Sequence, residues 1–599
     1  MTSSTEQLPS SSNSPLSPGF TDNARKIDGE DIRGIHFDTR EHFEDHREQA
    51  SEKKGLLLSP LGGTPVNALP NELLSYIFTL GSGAEEDGDY DGVEEGEEED
   101  DAPTDKRRPR LPFKVLVSHV CRRWRTVAVE TSTLWTHLDF TDGPPFEKSR
   151  TWLERSKGCP LDIELDCTVD EDSISNESGD RADASSDDDE LVAPEDRVAM
   201  PGGPAPPKAK ESRPSSRVSP VDLPIVRDLI LPHAARWRVF ELMVNDFQIM
   251  YGILATLASI PEAPQLQVLR LYHYDDNDNY DCFSPPHLRQ PFAPFCGRAP
   301  NLVQAALWGV HVDWETCEFL QGLEELELAY HTKDVRPPYE TFFRILQGSP
   351  DLHILTLCAS GPAGNPEDWP TDVIELPSVK HLVLAFIEPS YASALMKRLV
   401  FPNLSTLALD FDAGDYSSFL VQLARPAPNL RHPLCQNLID LKVSGMQCTK
   451  AALATFYGAL PNLVSLNLNC YHLQSHFFDF LHSGLTDDNE TEGCYLPKLQ
   501  SLTTSGIDGM EMRHLLIDRT AVPLKHVLMD SGADVDLEEE TWIRNKVETF
   551  DFFEGSDDED DPAITELDED DEMEIAAVAG EGDGLPGEWV DEDGDDPIA

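Results

Sequence analysis

The chain has 599 residues, long enough for two to four domains, and its apolar fraction of 39% is low for a chain that is all core. Its 47 basic and 110 acidic residues give a formal net charge of −63, a field that repels phosphate backbones and anionic lipid and argues against direct nucleic-acid or membrane binding. Eleven scattered cysteines without a Cys-x-x-Cys pair suit reduced thiols in the cytoplasm or nucleus, and neither a signal-peptide core nor an 18-residue apolar run occurs.

The charge is unevenly spread. Residues 84–105 hold 13 acidic and no basic residues, residues 170–190 hold 10 acidic residues and one Arg, and residues 551–599 hold 22 acidic and no basic residues. Such stretches cannot bury enough apolar surface to order themselves, so they read as solvated, disordered segments. They also suit attraction of basic proteins. In chain order, residues 1–60 read as a disordered N-terminal tail. Residues 61–140 read as a small helical domain with an acidic insertion at 84–110. That insertion ends in Lys106-Arg107-Arg108-Pro109-Arg110, a nuclear import signal or a solvated linker. Residues 141–169 read as a linker and first strand, 170–220 as a disordered acidic and Pro-rich insertion, 221–550 as a periodic globular domain and 551–599 as a disordered acidic tail.

The helical domain carries the first specific signals. Pro70 fits a first helical turn, and Leu73, Leu74, Ile77 and Phe78 recur on one helical face. Phe113, Leu116, Val117, Val120, Trp124 and Val127 make a second stripe, followed by Leu134 and Trp135. Periodicity alone makes these core. The string Leu69-Pro70-Asn71-Glu72-Leu73-Leu74-Ser75-Tyr76-Ile77-Phe78 goes further and resembles the opening helix of the F-box. Val120-Cys121-Arg122-Arg123-Trp124-Arg125 resembles its Val-Cys-basic-x-Trp signature, and Leu134-Trp135-x-x-Leu138 its closing Leu-Trp. The acidic insertion lengthens a loop that is usually short in this family, which loop-closure entropy tolerates. Trp152-Leu153-Glu154-Arg155-Ser156 and Pro160-Leu161-Asp162-Ile163-Glu164-Leu165 resemble the stretch that follows the F-box in many fungal members, and the alternation of Leu161, Ile163 and Leu165 predicts a strand.

The larger domain repeats. Leu-x-x-Leu-x-Leu appears at Leu266, Leu323, Leu352, Leu404 and Leu463, and as close variants at Val379 and Leu438, with weaker copies at Trp237, Leu302, Leu499 and Leu524. Eleven copies give a mean period near 29, which suits a strand plus a returning helix stacked into a solenoid. Thr341–Leu346 and Ala451–Leu460 read as two of those helices. The pattern resembles leucine-rich repeats, although the Asn or Cys slot of that family holds Tyr274, Ser360, Asp412 and Tyr471. The residues beside the leucines should share a concave face. They include Arg270, Tyr272, Trp308, Glu325, Glu327, His381, Asp410, Asp440, Lys442, Asn467, Asn469, His526 and Asp530. Each could be an ordinary solvated strand residue, but together they form the candidate substrate face.

The expected fold is thus α+β with an α/β solenoid: a small three-helix F-box, an irregular leucine-rich-repeat solenoid, and disordered acidic insertions and tail. Resemblance to the fungal (basidiomycete-type) F-box family implies a substrate-recognition subunit of a Skp-cullin-F-box ubiquitin ligase. Leu69, Pro70, Leu73, Leu74, Ile77, Phe78, Val120, Cys121, Trp124, Leu134 and Trp135 would bind the Skp adaptor or form the F-box core, with Cys121 a buried small hydrophobe. The partners implied are the adaptor, the cullin complex and a protein substrate. The alternative is an acidic leucine-rich chaperone or scaffold that binds basic proteins such as histones. No nucleotide loop, zinc-protease helix or nucleophile elbow occurs, so no catalytic residue, cofactor or metal is assigned. His472, His476 and His482 sit among Phe477, Phe478 and Phe480 and read as a packed helix. Ser185, Ser186 and Ser556 precede carboxylates and are candidate phosphosites for acidophilic kinases.

Overall fold

The computed structural model describes residues 69–86, 111–168, 217–274, 280–412, 414–427, 430–482 and 495–553. The N-terminal tail, nearly all of the acidic insertions, the tail beyond residue 553, and Ser185, Ser186 and Ser556 lie outside the described residues.

The first described helix is α1 (Asn71–Glu86), one residue later than Pro70. Next come α2 (Phe113–Val120) and α3 (Arg122–Glu130), then a 3-10 turn at Ser132–Trp135. The predicted single stripe from Phe113 to Val127 is broken at Cys121, whose backbone is extended (φ −158°, ψ 170°). Cys121 is exposed rather than buried, and its Sγ caps α3 by accepting from the Trp124 N–H at 3.4 Å. The three helices meet through Leu74, Phe78, Val117, Val127 and Ala128, all buried. Phe78 lies against Trp124 at 5.0 Å between ring centroids. Gly81 lets the Phe113 ring settle on α1, since a Cβ there would lie 2.3 Å from Phe113 Cζ.

The remaining described residues form strand–helix units. Ten of the eleven counted repeat copies start a strand two residues after their first apolar position. Their strands are β4 (Val268–His273), β5 (Gln304–Trp308), β6 (Glu325–Ala329), β7 (Ile354–Cys358), β9 (His381–Ala385), β11 (Thr406–Asp410), β12 (Asp440–Ser444), β13 (Ser465–Asn469), β14 (Ser501–Ser505) and β15 (His526–Asp530). The eleventh copy, β3 (Trp237–Val244), starts on Trp237 itself. Within each of the ten strands the second and fourth residues are the pattern's inward pair, apolar throughout except for Thr504 in β14. Strand alternation puts them on one side, where they are buried in a row from Leu269 to Val527.

Three further strands join the same sheet: β1 (His137–Leu138), β2 (Leu161–Cys167) and β16 (Thr549–Phe553). All 14 strands pair parallel with their neighbours, in the order β1-β2-β3-β4-β5-β6-β7-β9-β11-β12-β13-β14-β15-β16. A separate small sheet pairs β8 (Ile374–Glu375) with β10 (Leu399–Val400). The described residues therefore form a mixed α/β structure with one long parallel sheet and 13 α-helices. The helices expected around Thr341–Leu346 and Ala451–Leu460 are Tyr339–Gln347 and Lys450–Gly458.

Three expected boundaries move. In residues 141–169 the expected first strand is β2, a paired member of the sheet, and the expected linker before it holds a helix, Glu147–Arg155. Within the expected 170–220 insertion, Arg217 pairs with Asp166 at 3.2 Å, and the Val218 N–H donates to the Asp166 carbonyl at 2.7 Å. Residues 551–553 belong to β16, which pairs with β15 through Val527↔Phe550 and Met529↔Phe552.

Two devices stitch unit to unit. The residue before a repeat's first leucine donates back to the preceding unit: Asn301 Nδ2 to the Pro264 carbonyl (2.7 Å), Asn403 to Pro377 (2.9 Å), Asn437 to Pro402 (3.3 Å) and Asn462 to Gln436 (2.9 Å). Buried arginines bind loop carbonyls. Arg519, wholly buried, donates to Leu481 (2.8 Å) and Leu496 (3.0 Å), and Arg398 donates to Pro370 (2.6 Å) and Trp369 (2.9 Å).

Two stability outcomes follow from this packing. Arg519→Met leaves buried carbonyls without donors and should cost roughly 2–4 kcal/mol in denaturant unfolding. Deleting residues 554–599 should leave the thermal midpoint nearly unchanged, whereas deleting 548–599 removes β16, exposes the β15 edge and should lower it by several degrees; equal effects in calorimetry would contradict the placement of β16.

Candidate functional site

α1 is apolar on two sides, and burial separates them. Leu74 and Phe78 are 0% and 1% exposed, whereas Leu73 and Ile77 are 49% and 45% exposed. Tyr76 and Leu80 extend the open side, giving positions i, i+3, i+4 and i+7 of one helical stripe. On α2, Leu116 and Val120 are open one turn apart, and Leu111 is open just before it. Of the residues assigned to this unit by sequence, Leu74, Phe78, Leu134 and Trp135 are buried. Leu73, Ile77, Val120, Cys121 and Pro70 are exposed, and Leu69 and Trp124 are intermediate. Tyr76, Leu80 and Leu111 are missing from that assignment, although the spacing of 73, 76, 77 and 80 carries the signal, and Leu116 enters it only as a member of the second stripe.

The unit is anchored to the sheet. The Trp135 indole N–H donates to the Ala128 carbonyl at 2.9 Å, and the Trp135 ring lies 6.0 Å from Trp152. Lys114 and Lys148 sit over the Trp152 ring at 3.9 and 4.6 Å, and Arg155 over Trp135 at 4.5 Å.

The second candidate site is the sheet face opposite the buried leucines. All thirteen residues expected there do lie on it, in three rows fixed by strand register. Glu325, His381, Asp440 and His526 share the first row. Arg270, Glu327, Lys442 and Asn467 share the second. Tyr272, Trp308, Asp410, Asn469 and Asp530 share the third. Two of them are not open to solvent. Asn469 and Asp530 are buried; the Asn469 amide bonds with the Ser444 and Ser505 hydroxyls (3.5 and 3.4 Å), and Asp530 accepts from the Tyr471 hydroxyl (3.0 Å). Over β12–β15 the third row is thus a closed polar ladder.

Over β4 and β5 the same row is aromatic, Tyr272 and Trp308, and over β6, β7 and β9 it is small, Ala329, Cys358 and Ala385. Trp308 lies 5.0 Å from Tyr272, 6.1 Å from Tyr274 and 5.7 Å from Tyr330, and Tyr330 lies 6.5 Å from Phe386. Trp308 and Tyr330 rest on Ala329, Cys358 and Ala385. Tyr330, Ala359 and Phe386, each one residue past its strand, hold φ of 54°, 45° and 49°. Gly309 and Gly445 fill the corresponding places at 63°, and at Gly445 a Cβ would collide with the Phe411 carbonyl oxygen. Bulky residues at such φ cost of order 1–3 kcal/mol each, and strain of this kind gathers at binding sites.

Two hollows adjoin these rings. One of about 180 Å³ lies over Ala306, between Arg270 and Tyr272 on one side and Glu325 and Glu327 on the other. Arg270 pairs with Glu241 at 3.0 Å, and Glu325 faces His353 at 3.5 Å. Burial pushes the Glu327 carboxyl up, against the Trp308 indole and Arg270, which favour its charged form. The other, about 820 Å³, is lined by Lys333, Arg336, Phe386 and Tyr391 among others. Its cations are engaged: Lys333 with Asp281 (2.9 Å), and Arg336 with the Ala359 carbonyl (2.7 Å).

His476 faces the Cys448 thiol at 3.8 Å, and burial pushes that thiol up to about 12. Among the described residues no group of three or more His, Cys, Asp or Glu is arranged to hold a metal ion, and no helix is long and apolar enough to cross a membrane. Compared with known proteins, the chain matches no family model and no curated sequence.

His331 supports the aromatic rim from below. It is wholly buried, its Nε2–H donates to the Val310 carbonyl (3.0 Å), and its Nδ1 accepts from the Ser360 hydroxyl (2.9 Å). Burial, with His311 and Arg336 nearby, depresses its pKa from 6.5 to about 3. The unfolded chain therefore takes up the proton first, so the stability it contributes is present above pH 6.5 and is lost as pH falls toward 3. At pH 5 the expected loss from this group is roughly 2 kcal/mol. His331→Gln should flatten the fall in thermal midpoint between pH 7 and pH 5, measured by calorimetry; an unchanged slope would place the effect elsewhere.

Proposed function

We propose that the chain is a non-catalytic substrate receptor of a Skp-cullin-F-box ubiquitin ligase. In this reading the α1–α3 unit is an F-box that docks on the Skp-type adaptor, and the irregular leucine-rich-repeat face of β3–β16 holds a protein substrate. The observation that carries the reading is the open apolar stripe. Leu73, Tyr76, Ile77, Leu80, Leu116 and Val120 remain in solvent in the segment whose sequence resembles the F-box signature. A contiguous apolar patch on an otherwise strongly acidic chain marks a docking surface. Leu74, Phe78, Trp124 and Trp135 are the core that shapes it, and Leu69 and Pro70 precede its helix. Ubiquitin transfer would then be the partner enzymes' chemistry, with this chain supplying proximity. The net charge of −63 also suits an acidic chaperone for basic proteins, but that reading leaves the stripe without a role.

The test is a pull-down of the full chain with recombinant Skp-type adaptor and cullin. Leu73→Asp/Ile77→Asp should weaken adaptor binding at least tenfold with the thermal midpoint nearly unchanged, because both side chains are half exposed. Phe78→Ala should weaken it only by unfolding the unit. Wild-type affinity in the folded Asp double variant would overturn the F-box assignment.

A further inference from the structure

The outer face over β4–β9 combines three things that the rest of the face lacks. One is the plate of touching rings running from Tyr272 through Trp308 and Tyr330 to Phe386. The rings at 330 and 386 are held there by left-handed backbone, where the flanking units at 309 and 445 use glycine. Phe386 and Tyr274 are exposed, so no described residue closes over these two rings. The second is the hollow of about 180 Å³ over Ala306, where the short side chain leaves a gap between Arg270 and Glu327. Such a volume takes one long side chain and falls short of the ~300 Å³ or more typical of small-molecule sites.

The third is charge. Glu325 and Glu327 line the hollow against one guanidinium, Arg270, which is itself paired with Glu241, and His353 faces Glu325. Further along the same face, β2 carries Glu164, which faces His137, and Asp162, paired with Arg238. An anionic ligand is disfavoured there, whereas a cation gains both the carboxylates and the faces of Tyr272 and Trp308.

We infer that this end of the outer face binds an extended basic peptide segment of a partner protein. One Lys or Arg side chain enters the hollow over Ala306 between Glu325 and Glu327, and an adjacent aromatic or aliphatic side chain lies on the Trp308–Tyr330–Phe386 plate. A row of edge-to-face and tilted rings beside a single-residue socket reads two side chains of one strand-like peptide. The polar ladder over β12–β15 carries one ring, Tyr471, whose hydroxyl is tied to Asp530. This names the substrate class for the receptor proposed above and rests on that reading for its biological role, but the binding itself needs only this chain.

The probe is a positional-scanning library of fluorescein-labelled octapeptides, read by anisotropy on the full-length chain at physiological salt. Selection of Arg or Lys at one position, with an aromatic or aliphatic residue within two positions of it, is expected. The best selected peptide should bind at least tenfold more weakly to Glu325→Gln/Glu327→Gln, a shape-conserving pair, and to Ala306→Phe, which fills the socket. Glu340→Gln, exposed on the helix Tyr339–Gln347 and outside this face, should bind within twofold of wild type. No selection above scrambled peptides, selection of acidic peptides, or undiminished binding by the folded Gln pair would overturn the inference. So would an equal loss with Glu340→Gln, which would reduce the effect to the chain's general acidity. Adaptor pull-down is run on the same variants. No peptide selection by a wild-type chain that binds the adaptor sinks only this site, and no adaptor binding by a wild-type chain that selects peptides sinks only the receptor reading.

Discussion

The in-register parallel pairing of 14 strands is the constraint on which the rest of the structure depends. A strand of five residues with two inward leucines cannot bury them alone. Each is covered by the strand before, the strand after and the returning segment. Register then fixes everything else, because side chains alternate with a period of two. Once Leu326 aligns with Leu355 and Leu382, residues 327, 356 and 383 must share the other face. The three rows of outward residues, and so both the aromatic plate and the polar ladder, follow from leucine burial on the opposite side.

The same constraint explains how the helical unit is held. β1 has only two residues, His137 and Leu138, yet it places Trp135 at the end of the sheet, against Trp152. Three cations stacked on those two indoles and the Arg236 guanidinium on the Ser156 hydroxyl (3.0 Å) and Cys159 carbonyl (2.8 Å) fix the junction. The open stripe of α1 and α2 is therefore presented from a supported base, which lowers the ordering cost of docking on it.

Much of the fold was legible because its signal is local and repeated. Leu-x-x-Leu-x-Leu marked ten strand starts, since two inward leucines at alternate positions admit one register. Where the signal depends on tertiary neighbours it was not legible. The break at Cys121 has no proline or glycine to announce it; a thiol that accepts the Trp124 N–H does the capping. β16 uses Phe550 and Phe552 where its predecessors use leucine, so the count stopped one unit short. Asn469 and Asp530 look like binding residues by position, but a tyrosine hydroxyl and two serines close over them. Tyr330 and Phe386 occupy places where left-handed backbone predicts glycine, so neither the plate nor its strain can be read from pattern. On α1, periodicity marks apolar positions without saying which side the protein buries. Only the positions of Val117, Val127 and Ala128 decide that Leu74 goes in and Leu73 stays out.

A stack of parallel strands has two edges, and an unprotected edge invites a second copy to pair. At the first edge the chain uses brevity and cover: β1 is two residues long, and the Glu147–Arg155 helix packs beside it. At the last edge no described strand follows β16, and charge takes over. β16 exposes Asp551 between Phe550 and Phe552, follows Glu548, and continues into a sequence with 22 acidic residues from position 551 onward. Two such edges brought within a strand spacing would set like charges against each other at close range, where repulsion is screened least. The acidity that looks excessive for a binding protein is thus best placed where a repeat array most needs to stop. It also keeps basic partners free to approach the outer face, since a field that repels a second copy of this chain attracts a cationic segment.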